Sequence, residues 1–177
     1  MYNFKNINLK RIELDDLQTL LDLKATTWNT THSVTMNNIE QQRRWYDSIK
    51  SNEYYMKAIQ DSKWIGMFKV NNINSIDRTG DVGWDVLEEF RGQKLSLPII
   101  QCGVDFCFNL LNLNRLNCEI LENNPASIKS AEKAGFKKEG CKRQAVYRSG
   151  KYIDSYVYGL LRNEVGDEGL EPPTSAV

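Results

Sequence analysis

Apolar and polar positions follow two rhythms along the chain, and the changes of rhythm mark its elements. Phe4, Ile7, Leu9 and Ile12 read as a strand over 4–12, after which Asp15 and Asp16 open a helix with Leu17, Leu20, Leu21 and Leu23 along one side. Thr26 to Thr35 is polar and reads as a loop, and a second helix runs from about Asn38 to Ile49 with Ile39, Trp45 and Ile49 inward. Strands at 54–59 and 63–70 flank the turn Gln60, Asp61, Ser62, and another strand follows at 80–87. Over 94–112, Leu95, Ile99, Ile100, Gly103, Val104, Cys107, Leu110 and Leu111 fall at helical intervals. A strand at 115–121, a helix at 125–134 closed by Gly135, and strands near 136–148 and 151–161 around Ser149 and Gly150 complete the pattern. The sum is an α+β sandwich of about seven strands in a mixed, mostly antiparallel sheet with four helices.

A chain of 177 residues, 41% hydrophobic and 26% charged, holds material for one globular domain and not for two. That domain is expected over 1–164, with 165–177 as a disordered tail, because Gly166 to Val177 contains Pro172 and Pro173 and no core-forming pattern. Lys plus Arg and Asp plus Glu both total 23, so no charge excess argues for a nucleic-acid or membrane-surface partner. Four acids and no base lie between Glu164 and Glu171, which leaves residues 1–163 with 23 bases against 19 acids, a balance suited to a small anionic ligand. No apolar run has membrane-spanning length, since Gln101, Asp105 and Asn109 interrupt 99–111, and the N-terminus lacks the apolar stretch of a secretory signal. Cys102, Cys107, Cys118 and Cys141 form no Cys-x-x-Cys pair and have no histidine-rich partner set, so buried free thiols, no metal and a cytoplasmic location are expected.

Strand, short loop and helix meet between Gly80 and Ser96. A helix that starts directly after a strand presents unpaired N–H groups and the positive end of its dipole, an arrangement able to hold a pyrophosphate by backbone alone. Arg91, Gly92, Gln93 and Lys94 occupy that turn, and Pro98 fits the first helical turn, where its missing N–H costs little. The segment resembles the acetyl-CoA-binding motif of the GNAT superfamily of N-acetyltransferases, Arg/Gln-x-x-Gly-x-Gly/Ala, with Arg91 first, Lys94 where glycine is usual, and Ser96 where glycine or alanine is usual.

A second block is more specific. Asn124, Ser127, Lys133, Gly135, Phe136, Glu139 and Gly140, followed by Arg143 and the ending from Tyr152 to Arg162, keep the spacing of the branch that acetylates ribosomal proteins and related small molecules. The resemblance spans roughly residues 5 to 164. It implies splayed central strands, with acetyl-CoA as co-substrate and its pantetheine arm laid against the backbone near Val86 and Leu87. It further implies that the amides of Arg91 to Ser96, Leu95 included, cradle the diphosphate, with Asn124, Ser127 and Lys129 beside the cofactor.

The implied reaction moves acetyl directly to a primary amine, which requires a free amine and a proton for the leaving thiolate. Many relatives supply that proton from a tyrosine just before the Glu-Lys-x-Gly-Phe run; here the slot is Ala131, and Ser127 is the candidate, either as acid or only as a helix cap. Asp81 and Asp85 are candidate bases acting through water, or solvated strand-edge charges. His32, the single histidine, sits with Trp28 in the loop that covers the acceptor in the family, and with Trp84 these are candidate acceptor-binding residues, or a surface histidine and core tryptophans.

Three functions remain open on the sequence. One is acetylation of a small amine such as an amino sugar, by a monomer or homodimer. The second is the same chemistry on a protein N-terminus. The third is a catalytically idle coenzyme A binder, a reading encouraged by Lys94, Ser96 and Ala131.

Overall fold

In the computed structural model, residues 1–32 and 38–165 are described. The tail expected over 165–177 lies outside them except for Val165, which packs against the core. One sheet contains β1 (Tyr2–Phe4), β2 (Ile7–Arg11), β3 (Tyr54–Gln60), β4 (Lys63–Asn74), β5 (Thr79–Val86), β6 (Arg115–Leu121), β7 (Lys137–Arg148) and β8 (Lys151–Leu161). Its order is β1-β2-β3-β4-β5-β6-β8-β7, antiparallel throughout except where β5 meets β6 in parallel. The helices are α1 (Leu17–Thr27), α2 (Ile39–Asp47), α3 (Ser96–Asp105) and α4 (Pro125–Lys133).

This is the expected α+β class, with eight strands among the described residues instead of about seven. The additional strand arises because 4–12 is not continuous: Lys5 takes φ 53°, and Tyr2–Phe4 folds back antiparallel onto Ile7–Leu9. The Tyr2 hydroxyl then reaches the fully buried Asp105 at the end of α3, which also accepts from Asn109 Nδ2 at 2.8 Å. A carboxylate so deep in the fold is tolerated because both neighbours hydrogen-bond it. The helix expected over 94–112 also divides. Lys94 is left-handed at φ 61°, which an α-helix cannot contain, so α3 begins at Ser96, and Phe106–Leu110 continue it as a π turn.

Period-two alternation sorts the strand side chains onto two faces. On one, α3 and α4 cover Met56, Ala58, Phe68, Val70, Leu116 and Ile120; on the other, α1 and α2 cover a smaller cluster containing Tyr55, Trp64 and Met67. Gly103 lets α3 lie flush on the sheet, because a Cβ there would stand 2.2 Å from the ring of the fully buried Phe68. Cys102, Cys107 and Cys118 are buried free thiols, whereas Cys141 is exposed, contrary to expectation, because it lies on the outer edge strand β7. No helix among the described residues is long and apolar enough to cross a membrane.

Candidate active site

β5 and β6 share three rungs only: Thr79 with Arg115, Gly80 with Leu116, and Asp81 with Asn117. β5 continues to Val86 and β6 to Leu121 without another rung between them, and a cavity of about 540 Å³ occupies the gap. That size suits a small-molecule site.

Register decides what faces the cavity. Met67 packs toward α1 and α2, so Lys69 and Asn71 share its face, and the pairs Met67–Asp85, Lys69–Gly83 and Asn71–Asp81 put Asp85 and Asp81 there too. Across the gap, Asn117 stands opposite Asp81, and Glu119 lies two positions further along β6 on the same face. Three carboxylates therefore line the α1–α2 side. Asp81 is anchored, accepting from Asn72 Nδ2 at 2.9 Å and Asn117 Nδ2 at 3.2 Å. Asp85 receives no hydrogen bond to its carboxyl among the described residues; burial pushes its pKa up to about 6, against the pull of Lys69, Arg91 and Lys24. Burial also raises Glu119, but the hydrogen bond and charge of Lys142, with the Ser155 hydroxyl, outweigh it and hold the carboxyl below its ordinary value.

At one end of the cavity, Asn124 caps α4 by accepting from the Ser127 N–H at 3.1 Å. The cap is thus Asn124 and not Ser127, whose hydroxyl has no partner among the described residues and lines the cavity. The indole N–H of Trp84, also in the cavity wall, is buried without a hydrogen-bond partner among the described residues. A buried orphan donor of this kind fits a ligand that brings carbonyl oxygens. Beyond the tip of β5, Gly92 at φ 78° and Lys94 at φ 61° alternate with right-handed or extended neighbours ahead of α3, and a Cβ on Gly92 would meet nothing within 4 Å. Such alternation curls peptide N–H groups into an anion-binding concavity. Replacing Lys94 by Gly should relieve its left-handed strain and raise stability by about 0.5–1 kcal/mol, some 2–3 °C in a thermal melt. An unchanged or lower melting temperature would mean that Lys94 is not strained.

Residues 6–137 match the family model described as the acetyltransferase (GNAT) domain. The chain belongs to the GNAT family. Over 171 residues it is 25% identical to the uncharacterized N-acetyltransferase p20 of Bacillus licheniformis, covering 90% of this chain and 95% of that protein. It is 27% identical to the putative ribosomal N-acetyltransferase YdaF of Bacillus subtilis, covering 69% and 66% of the two chains. The fold is similar to the crystal structure of spermidine N-acetyltransferase from Vibrio cholerae in complex with CoA and spermine, with a TM-score of 0.85, 21% identity, and 90% and 98% of the chains covered. A GNAT acetyltransferase uses acetyl-CoA, and the splayed β5 and β6, the orphan Trp84 N–H and the turn before α3 are features that fit it.

Within this GNAT domain the fold gathers most of the residues singled out from the sequence and leaves some apart. Asp81, Trp84, Asp85, Asn124, Ser127 and His32 all line the one cavity. Val86 ends β5, and its carbonyl accepts from Arg91 Nε at 3.3 Å; Arg91 also donates to Thr26 Oγ1 at 2.7 Å. Gln93 Nε2 donates to the Glu89 carbonyl at 3.1 Å. Leu95 and Ser96 form the start of α3, where the Leu95 carbonyl accepts from the Ile99 N–H at 3.2 Å. Leu87 turns away, its N–H given to the Ile65 carbonyl at 3.0 Å. Trp28 and Lys129 do not line the cavity, Trp28 being half-buried and Lys129 exposed on α4. Sequence reasoning passed over Glu119, Ser155 and Lys69. One signal was available: polar Arg115, Asn117 and Glu119 alternate with apolar Leu116, Cys118 and Ile120, so β6 carries a polar face into the middle of a sheet.

Proposed function

We propose that this GNAT acetyltransferase transfers acetyl from acetyl-CoA to the primary amine of a small cationic molecule, in the cytoplasm, as a monomer or homodimer. The observation that carries this is the set of three carboxylates, Asp81, Asp85 and Glu119, on the acceptor-side face of the gap between β5 and β6. Carboxylates in a partly desolvated chamber attract an ammonium and disfavour an anionic acceptor. Within the class, they favour an amine bearing a second positive charge over an amino sugar, whose body is neutral. The solved relative from Vibrio cholerae, in complex with spermine, supports that choice.

Acetyl-CoA, when bound, supplies the thioester carbon that the amine attacks. Amides from Arg91 to Ser96, with Gly92, Gln93, Lys94 and Leu95 between them, would hold the diphosphate at the head of α3. Lys129 would flank the 3′-phosphate, and the free edge of β5 at Val86, with the Trp84 indole, Asn124 and Ser127, would hold the pantetheine arm; Leu87, its N–H already given to Ile65, drops out of that edge. Of the three candidate acceptor-binding residues, His32 stays in this proposal, whereas Trp28 lies outside the cavity and Trp84 sits on the cofactor side. An ammonium must shed one proton before it attacks and a second as the C–N bond forms. Asp81, fixed by its two asparagines, would receive the ammonium. Asp85, with a pKa near 6, would take the second proton through water at neutral pH. The free Ser127 hydroxyl would donate to the departing sulfur and be reprotonated from Asp85 through the same water, which returns Asp85 to its ionised form.

Thermal melts with acetyl-CoA, followed by thiol release over spermidine, glucosamine and a peptide with a free N-terminus, test this. Acetyl-CoA at about 100 times its Kd should stabilise by about 2.7 kcal/mol, and spermidine should turn over fastest. Stabilisation without turnover would identify an idle binder, and preference for the peptide would shift the acceptor to protein N-termini.

A further inference from the structure

His32 lies at the rim of the acceptor chamber, and its position is built from distant parts of the chain. Four consecutive carbonyls ahead of it are each held. Arg148 Nε donates to the Trp28 carbonyl at 3.0 Å and Arg148 Nη2 to that of Thr31 at 3.3 Å, while Asn123 and Asn124 donate to those of Asn29 and Thr30, each at 3.0 Å. The segment 28–31 is thereby fastened to α4 and to the β7–β8 hairpin, and His32 follows from it.

The ring is held as well. His32 Nε2 is 3.1 Å from the hydroxyl of the fully buried Ser155 on β8, and that hydroxyl donates to Glu119 Oε2 on β6 at 3.2 Å. A serine has one proton to give. Glu119 is kept ionised by Lys142, so it accepts only. If Ser155 gave its proton to the histidine, two acceptor oxygens would face each other at 3.2 Å. The hydroxyl therefore donates to Glu119, Nε2 carries the ring proton, and Nδ1 is left as the basic nitrogen.

We infer that His32 takes the first proton from the entering ammonium on Nδ1, with Ser155 and Glu119 as positioning residues that fix the tautomer and steady the imidazolium once it forms. This rests on the acetyltransfer reading above. The balance is simple: the ammonium becomes the free amine, His32 becomes doubly protonated, and the exposed ring returns the proton to solvent before the next turnover. The charged groups facing the ring agree with the role. Partial burial lowers the His32 pKa from its ordinary value, Glu119 raises it, and Lys69, Arg148 and Lys142 lower it again, so the ring is neutral and ready to accept at neutral pH.

Because the chain has one histidine, long-range 1H–15N spectra of the intact protein report its tautomer without ambiguity. The Nε2-protonated form is expected at pH 7.5, and the Nδ1-protonated form would overturn the inference. In thiol-release assays with spermidine, His32→Gln should lower kcat/KM at pH 7 about 100-fold. Its activity should then rise about tenfold per pH unit toward the amine's own pKa, because only pre-formed free amine reacts, whereas the wild type should level off above the His32 pKa. Ser155→Ala should lower kcat about tenfold, leave the KM for acetyl-CoA unchanged, and mix the tautomers. An active wild type whose pH profile superimposes on that of His32→Gln removes this role alone. A wild type inactive on every amine removes the acetyltransfer reading, and this role with it.

Discussion

Asp85→Asn is expected to lower turnover about 100-fold while making the protein more stable at pH 8. The activity loss follows from removing a base with a pKa near 6 from the acceptor face of β5. The gain in stability follows from the same shift. Unfolded, this carboxyl ionises near its ordinary value of about 3.9; folded, it holds its proton to about 6. Below pH 4 it is protonated in both states and contributes no penalty. As pH rises from 4 through 6 the unfolded chain ionises first, so stability falls, and above 6 the full cost remains, about 3 kcal/mol. Asparagine cannot ionise, so the variant should melt roughly 6–12 °C above the wild type at pH 8 and together with it at pH 4. Equal melting temperatures at both pH values would show that Asp85 is not desolvated, and undiminished turnover would move the base elsewhere.

Gly103→Ala should cost about 2–3 kcal/mol and lower the melting temperature by roughly 5–10 °C. The new methyl would fall 2.2 Å from Phe68 Cε2, 2.3 Å from Cδ2 and 2.4 Å from Cζ, and Phe68 has no exposed surface into which to swing. Relief requires α3 to lift from the sheet, which displaces the turn at its head. The KM for acetyl-CoA should therefore rise about tenfold even at temperatures where the variant stays folded. Calorimetry and steady-state kinetics at 20 °C separate the two effects. A melting temperature within 1–2 °C of the wild type would mean that α3 and β4 adjust freely.

Local pattern disclosed much of this fold. The leucines of 17–23, the apolar interval over 95–111 and the hairpin turn at Gln60 to Ser62 each mark an element within a few residues of its position. Pattern failed where a single backbone angle decided. Lys5 and Lys94 are left-handed without being glycine, and neither β1 nor the late start of α3 can be read from hydrophobic spacing. Of the site, Asp81, Asp85, Asn124 and Ser127 were visible because they lie on or beside elements that the sequence marks clearly. Glu119, Ser155 and His32 were not visible as a group. Ser155 is 36 residues from Glu119 and 123 from His32, and only the pairing of β6 with β8 and the fastening of 28–31 by Arg148 bring them together.

The three parallel rungs between β5 and β6 have a mechanical meaning. Among the described residues they are the sheet hydrogen-bonding seam between two antiparallel halves, β1 to β5 and β6-β8-β7, and the cavity is a wedge driven into that seam. A molecule seated in the wedge grips both halves, so its binding energy also acts as adhesion between them. Ligand-free protein should therefore exchange amide hydrogens fastest along the facing edges of β5 and β6, and acetyl-CoA should slow exchange on both strands at once.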